Sequence, residues 1–188
     1  RLSAPPRPPR PTPGGPPTRP AVVAGPPPGA AIAPGCGAGA SPHSRRGAAR
    51  WTLRDPASEV LSEGDHDVDL PALSSVWLDP IDFNSTDYLR NHFTYELVVD
   101  GETVSHGSVL FTAPKYYQFA DPALAAAVDG DRITITAQAY ARSVEILADG
   151  GDCVLSDNYF DMERGERTVR IIEGNPKTIR LRSVFDIR

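Results

Sequence analysis

The sequence predicts an all-β antiparallel sandwich over residues 51–188, and three observations carry that prediction. Short apolar runs alternate with polar residues at a period of two, turn residues recur between the runs, and helical periodicity is almost absent. A domain of this size buries roughly two-thirds of the surface its unfolded chain exposes, so length permits a core.

The elements follow in chain order. "RWTLRDPASEVLSEGD" reads as a hairpin turning at Asp55-Pro56-Ala57-Ser58, with Trp51 and Leu53 on one face and Val60 and Leu61 returning. "DVDLPALSSVWLD" is an extended segment interrupted at Pro71, whose missing N–H excludes a central ladder position. "DPIDFNSTDYLRN" is a loop. In "FTYELVVDGETVSHGSVLF", Phe93, Tyr95, Leu97 and Val99 alternate with polar residues, Asp100-Gly101 supplies a turn that accepts positive φ, and Val109 and Phe111 lie on the return. "PALAAAV" is the one helix-friendly piece, a turn or two capped by Asp121 before Pro122. "DRITITAQAYARSVEILADGG" is a long strand with Ile133, Ile135, Ala137 and Ala139 on one face and a bend near Arg142. "RTVRII" and "TIRLRSVFDI", joined by the turn "EGNPK", alternate apolar residues with Arg, as strands with one buried and one wet face do. About seven or eight strands result, which suits a sandwich of the immunoglobulin-like kind.

Residues 1–50 are of another composition. They hold 14 of the 20 prolines and 8 of the 16 glycines, with seven arginines and no acidic or aromatic residue, so they are predicted to be a disordered low-complexity segment. With seven of the 19 basic residues placed there, 12 remain against 24 acidic ones in 51–188, a net charge of −12. That balance argues against nucleic acid or an anionic membrane as partner. The apolar stretch "AVVAGPPPGAAIAPG" is broken by Pro26, Pro27 and Pro28, which neither a signal peptide nor a membrane span tolerates. Cys36 and Cys153 form no disulfide framework and no metal-binding pattern, which fits a reducing, cytoplasmic setting.

Candidate chemistry is sparse. Ser62-Glu63-Gly64 ends a short strand without a second positioned carboxylate, whereas a glycosidase needs two at a fixed separation. His43, His66, His92 and His106 have no His or Cys at ligand spacing and read as surface residues, and no cofactor motif is present. Ser105 and His106 are adjacent on a strand, point to opposite faces and cannot share a proton. Tyr116, Tyr117 and Phe119 in a loop offer either a sugar platform or packing against an adjoining domain. In "SDNYFDMERGE", Asp157, Asn158 and Asp161 suit backbone hydrogen bonds while Tyr159 and Phe160 bury, which makes a structural corner. A calcium loop is the competing reading, although the glycine and ligand spacing of an EF-hand are absent.

"LSDNYFDMERGERTVRI", followed by the terminal "IRLRSVFDI", resembles the C-terminal immunoglobulin-like domain of β-mannosidases in glycoside hydrolase family 2. Upstream, "WTLRDPASEVLSEG", "LPALSSVWLD", "YELVVDGETVSHGSVLF" and "PKYYQFADPAL" are similar to successive pieces of the same domain, so the resemblance covers 51–188. It implies a structural accessory of a large retaining enzyme that removes terminal β-linked mannose. The partners implied are the catalytic and other domains of that parent, with mannosides reached only through it. The two catalytic glutamates of the family have no counterpart here. Such a domain begins ahead of Trp51, where this chain is rich in Pro, Gly, Ala and Arg, so the resemblance also implies a sandwich lacking its first strands. That composition is what GC-rich DNA yields when read out of frame, and a shifted frame ending near residue 50 is the expectation. The isolated chain is then expected to be unstable or to self-associate through an uncovered sheet edge. A stand-alone carbohydrate-binding sandwich is the alternative.

Overall fold

The alternation seen in the sequence becomes fourteen strands in a computed structural model, which describes residues 22–23, 35–37, 43–79, 81–83, 85–149 and 153–187. In order they are β1 (Val22–Val23), β2 (Gly35–Gly37), β3 (Arg45–Arg54), β4 (Val60–Leu70), β5 (Ser75–Trp77), β6 (His92–Val99) and β7 (Glu102–Leu110). There follow β8 (Ala125–Asp129), β9 (Arg132–Ala137), β10 (Ala141–Asp149), β11 (Val154–Leu155), β12 (Phe160–Met162), β13 (Gly165–Glu173) and β14 (Thr178–Arg182). A 3-10 turn, Val184–Asp186, closes the described chain, capped by the Ser183 side chain. All pairings are antiparallel.

β4, β3, β6 and β7 make one four-stranded sheet in that order. Odd-numbered residues of β3 and β6 point to its apolar face: Ala49 and Leu53 are buried beside Phe93, Leu97 and Val99, and β4 adds Val68 and Leu70. Val76, Leu78, Ile81 and Phe83 lie over that face. Pro71 follows the last residue of β4, as its lost N–H requires. The β6–β7 hairpin turns on Asp100 (φ 54°) and Gly101 (φ 83°), the two positive values that a turn matching strand twist needs. Asp55 closes the β3–β4 hairpin, its Oδ1 accepting from the N–H of Ala57 and of Glu59 at 2.9 Å each.

The strands after residue 120 form a second pair of sheets, β12-β10-β14 and β11-β13-β9-β8. Ile133, Ile135 and Ala137 from β9, Val144 and Ile146 from β10, Phe160 and Met162 from β12, and Val169 from β13 fill the space between them. No strand is shared between this sandwich and the first sheet, although the sequence pattern reads as one sandwich throughout.

Three expectations change. β3 starts at Arg45, and β1 and β2 pair with each other and with β5, so parts of the segment expected to be disordered are strand; the rest of that segment up to residue 42 lies outside the described residues. Ala125–Asp129 is a strand rather than a helical turn, because pairing with β9 supplies ladder bonds to a run too short to nucleate a helix. Asp121 still caps locally, accepting from the N–H of Ala123 at 2.8 Å. The long strand predicted over 132–149 breaks into β9 and β10 at Gln138–Tyr140, which lets one stretch serve both sheets.

Candidate functional site

The polar side chains with most to do gather where the first sheet meets the second sandwich. Even-numbered residues of β6, and those of β7 from His106 to Leu110, face away from the first core, and at one end of the sheet His92, Ser108 and Leu110 meet residues that follow β7. Leu110, Tyr117, Phe119 and Tyr140 form a buried cluster of their own, against which Val184 and Phe185 pack. A groove of about 1340 Å³ opens beside it, with Arg50, Thr94 and Glu96 on one wall and Arg142, Tyr159 and Asp161 on the other.

His92 is wholly buried. Its Nδ1 lies 2.8 Å from the Tyr117 hydroxyl, its Nε2 lies 2.8 Å from Glu163 Oε1, and its ring stacks on Tyr140 with centroids 3.9 Å apart. The Tyr117 hydroxyl donates to the Arg90 carbonyl at 3.0 Å. Burial pushes the Tyr117 phenol well above its usual range, and burial followed by the Asp161 charge does the same for Tyr140, so both hydroxyls keep their protons. Two strained residues complete the seam. Ser58, at φ 68°, accepts from the N–H of Arg164 at 2.9 Å, and Ser143, at φ 51°, donates its N–H to Asp161 Oδ1 at 2.7 Å. Non-glycine residues sit at such angles only where the surroundings fix them.

Of the "DNYFD" cluster, Asp157, Asn158 and Tyr159 make the turn before β12, and Phe160 and Asp161 are its first two residues. The Asn158 amide spans to β10, accepting from the N–H of Ile146 at 2.8 Å and donating to its carbonyl at 3.2 Å, as a neighbouring strand would. Asp157 accepts from its neighbour's N–H and pairs with Arg167, whose guanidinium also lies 4.1 Å over the ring of buried Phe160. Tyr159, at φ 61° and 64% exposed, donates its hydroxyl to Glu145 at 2.8 Å. Asp161 receives Ser108, Tyr140 and the Ser143 N–H. Hydrogen bonds from Arg182, then from Tyr159, hold the Glu145 carboxyl below its usual range.

Of the loop aromatics, Tyr117 and Phe119 are 1% and 6% exposed and present no face to a sugar. Tyr116 is exposed, with the Lys115 ammonium 4.7 Å above its ring. His43, His66 and His106 are at the surface as expected, but His92 is not. It sits on the face of β6 that alternation marks as wet, and only the arrival of the second sandwich covers it. The same holds for Ser108, while Tyr140 and Glu163 flank strands whose partners the sequence does not name. Among the described residues, no group of three or more His, Cys, Asp or Glu is placed to hold a metal ion. No described helix is long and apolar enough to cross a membrane. Ser108 donates to the Asp161 carboxylate and lies against the Tyr140 hydroxyl.

Known families divide the chain at this seam. Residues 41–116 match the "Mannosidase Ig/CBM-like domain" family model, and residues 119–187 match the mannosidase "Ig-fold domain" model. No curated protein matches the sequence. Among solved structures, the crystal structure of a β-D-mannosidase from Dictyoglomus thermophilum superposes with a TM-score of 0.72 at 12% identity. The match covers 88% of this chain and 21% of that one, so the chain spans about a fifth of the length of the enzyme it resembles in fold. Residues 41–116 and 119–187 are thus two mannosidase-type immunoglobulin-like domains in succession.

Proposed function

We propose that this chain is an accessory region of a β-mannosidase, serving to pack against the other domains of a parent enzyme that hydrolyses terminal β-D-mannose residues, and that it cleaves nothing alone. The domain division is then 41–116 and 119–187, with Tyr117 in the link between. One observation carries the reading. The groups able to do acid–base work are taken up by the chain's own side chains: His92 meets Tyr117 and Glu163, and Asp161 meets Ser108, Tyr140 and the Ser143 N–H, with the His92–Glu163 and Ser108–Asp161 contacts crossing the seam, which is the pattern of a joint. A cytoplasmic setting fits the free thiol of Cys153.

Two measurements test it: hydrolysis of a chromogenic β-mannoside by the chain, and its retardation in mannan-affinity electrophoresis. Neither turnover nor retardation is expected. Retardation that Tyr159→Ala abolishes would instead favour the stand-alone carbohydrate-binding reading, for which the exposed Tyr159 ring at the groove is the supporting observation. Turnover by the pure chain would sink both.

A further inference from the structure

The hydrogen-bond inventory around His92 leaves a proton to be placed. The Tyr117 hydroxyl has one hydrogen, and it goes to the Arg90 carbonyl, which can only accept. The contact between that hydroxyl and His92 Nδ1 at 2.8 Å then needs its hydrogen from the imidazole. On the other side of the ring, Nε2 meets Glu163 Oε1 at 2.8 Å, a contact that also needs a hydrogen. A neutral imidazole beside a carboxylate supplies only one of the two. Glu163 Oε2 is buried with no hydrogen-bond partner, so a full negative charge on this carboxylate would lie half unsolvated. Both observations ask for one proton more than neutral His plus ionised Glu provide.

We propose that His92 and Glu163 hold one proton between them in the folded chain, and that this proton locks the first domain, the link and the second domain together. His92 belongs to β6 in the first domain, Tyr117 to the link, and Glu163 to the segment after β12 in the second. When the proton leaves, Nε2–H still serves Glu163, but bare Nδ1 takes the Tyr117 hydrogen and the Arg90 carbonyl loses its donor. The link is then tied to the second domain through His92 and no longer to the loop before β6. The charged and titratable groups around the ring are few. Arg54 stands opposite His92 in the ladder from β3, with its Nη1 turned to the Ser58 carbonyl at 3.1 Å. Leu110 faces it from β7 and carries no charge. Asp55 and Arg90 act on Tyr117 in opposite senses, and Tyr140, beneath the ring, is bonded to Asp161.

Removing the shared proton breaks the Tyr117–Arg90 hydrogen bond, so stability falls as alkali takes it away. The full chain, labelled with ¹⁵N at histidine, answers directly in a long-range ¹H–¹⁵N spectrum, with the His92 signals assigned by their loss in His92→Gln. At about pH 7 a protonated Nδ1 is expected; a ring protonated at Nε2 with bare Nδ1 overturns the proposal. Melting gives a second arm. From about pH 6 to about pH 9 the midpoint of the native chain should fall by about 2–4 °C more than that of Glu163→Gln. The glutamine oxygen still accepts from Nε2–H but cannot share a proton, so equal slopes overturn the latch.

Discussion

Single residues set the spacing in the first sheet. Gly64, Trp51, Tyr95 and Gly107 lie opposite one another across four strands, a glycine at each edge beneath a ring from the middle. A Cβ on Gly64 would lie 2.7 Å from the Trp51 ring, which cannot retreat because it stacks on Phe93 at 6.1 Å and meets Phe83 edge-on at 5.9 Å. A Cβ on Gly107 would lie 2.6 Å from the Tyr95 hydroxyl and 2.8 Å from the ring carbon that bears it, so the contact is with the far end of that side chain. Gly64→Ala is therefore expected to cost about 1–3 kcal/mol in urea denaturation, and Gly107→Ala distinctly less. Asn158→Ala removes both side-chain bonds to the buried Ile146 backbone and is expected to cost about 1–3 kcal/mol, while Asn158→Asp keeps the acceptor and recovers part of it. Equal stabilities for the alanine variant and the native chain would show that the corner is not held by this amide.

At the scale of elements, the β10–β14 ladder carries its charge pairs in register. Glu145 faces Arg182 and Asp149 faces Thr178, with Arg180 reaching diagonally across to the Asp149 carboxylate at 3.0 Å. Arg182 first, then Tyr159, holds Glu145 low, and Arg180 holds Asp149 low. A carboxyl held low in the fold contributes stability that is complete above the ordinary carboxylate range of about 4 and is lost as pH falls through the folded value. The melting midpoint should therefore drop on acidification below about pH 4, and the drop should be shallower in Arg180→Leu and Arg182→Leu. An unchanged acid limb in both variants would assign acid lability elsewhere. The helical turn expected at "PALAAAV" illustrates the limit of local reading, since intrinsic preference in five residues yields to a ladder supplied by β9.

For the whole molecule, the exposed edge is the feature with consequences. β8 closes its sheet with all five residues exposed and neither proline nor lysine among them to block another strand. Concentration-dependent self-association is expected in sedimentation velocity, and Val128→Lys should raise the monomer fraction. A native chain that stays monomeric at every concentration would show that β8 alone does not invite pairing. Another domain of the proposed parent lying along this edge would serve the same physical need.

The sequence by itself determined which residues alternate into strands, where Pro71 and Asp100-Gly101 interrupt them, and the resemblance to mannosidase immunoglobulin-like domains. These are local signals, carried by side-chain periodicity and backbone preference over a few residues. The tertiary structure decided that the strands divide into a four-stranded sheet and a separate sandwich, and that His92, Ser108, Tyr140, Asp161 and Glu163 meet between them. Alternation tells one face of a strand from the other but does not say what later comes to cover the polar one. His92 on that face stands 71 residues from Glu163, and only the closing of the second sandwich onto the first brings the two within hydrogen-bond reach.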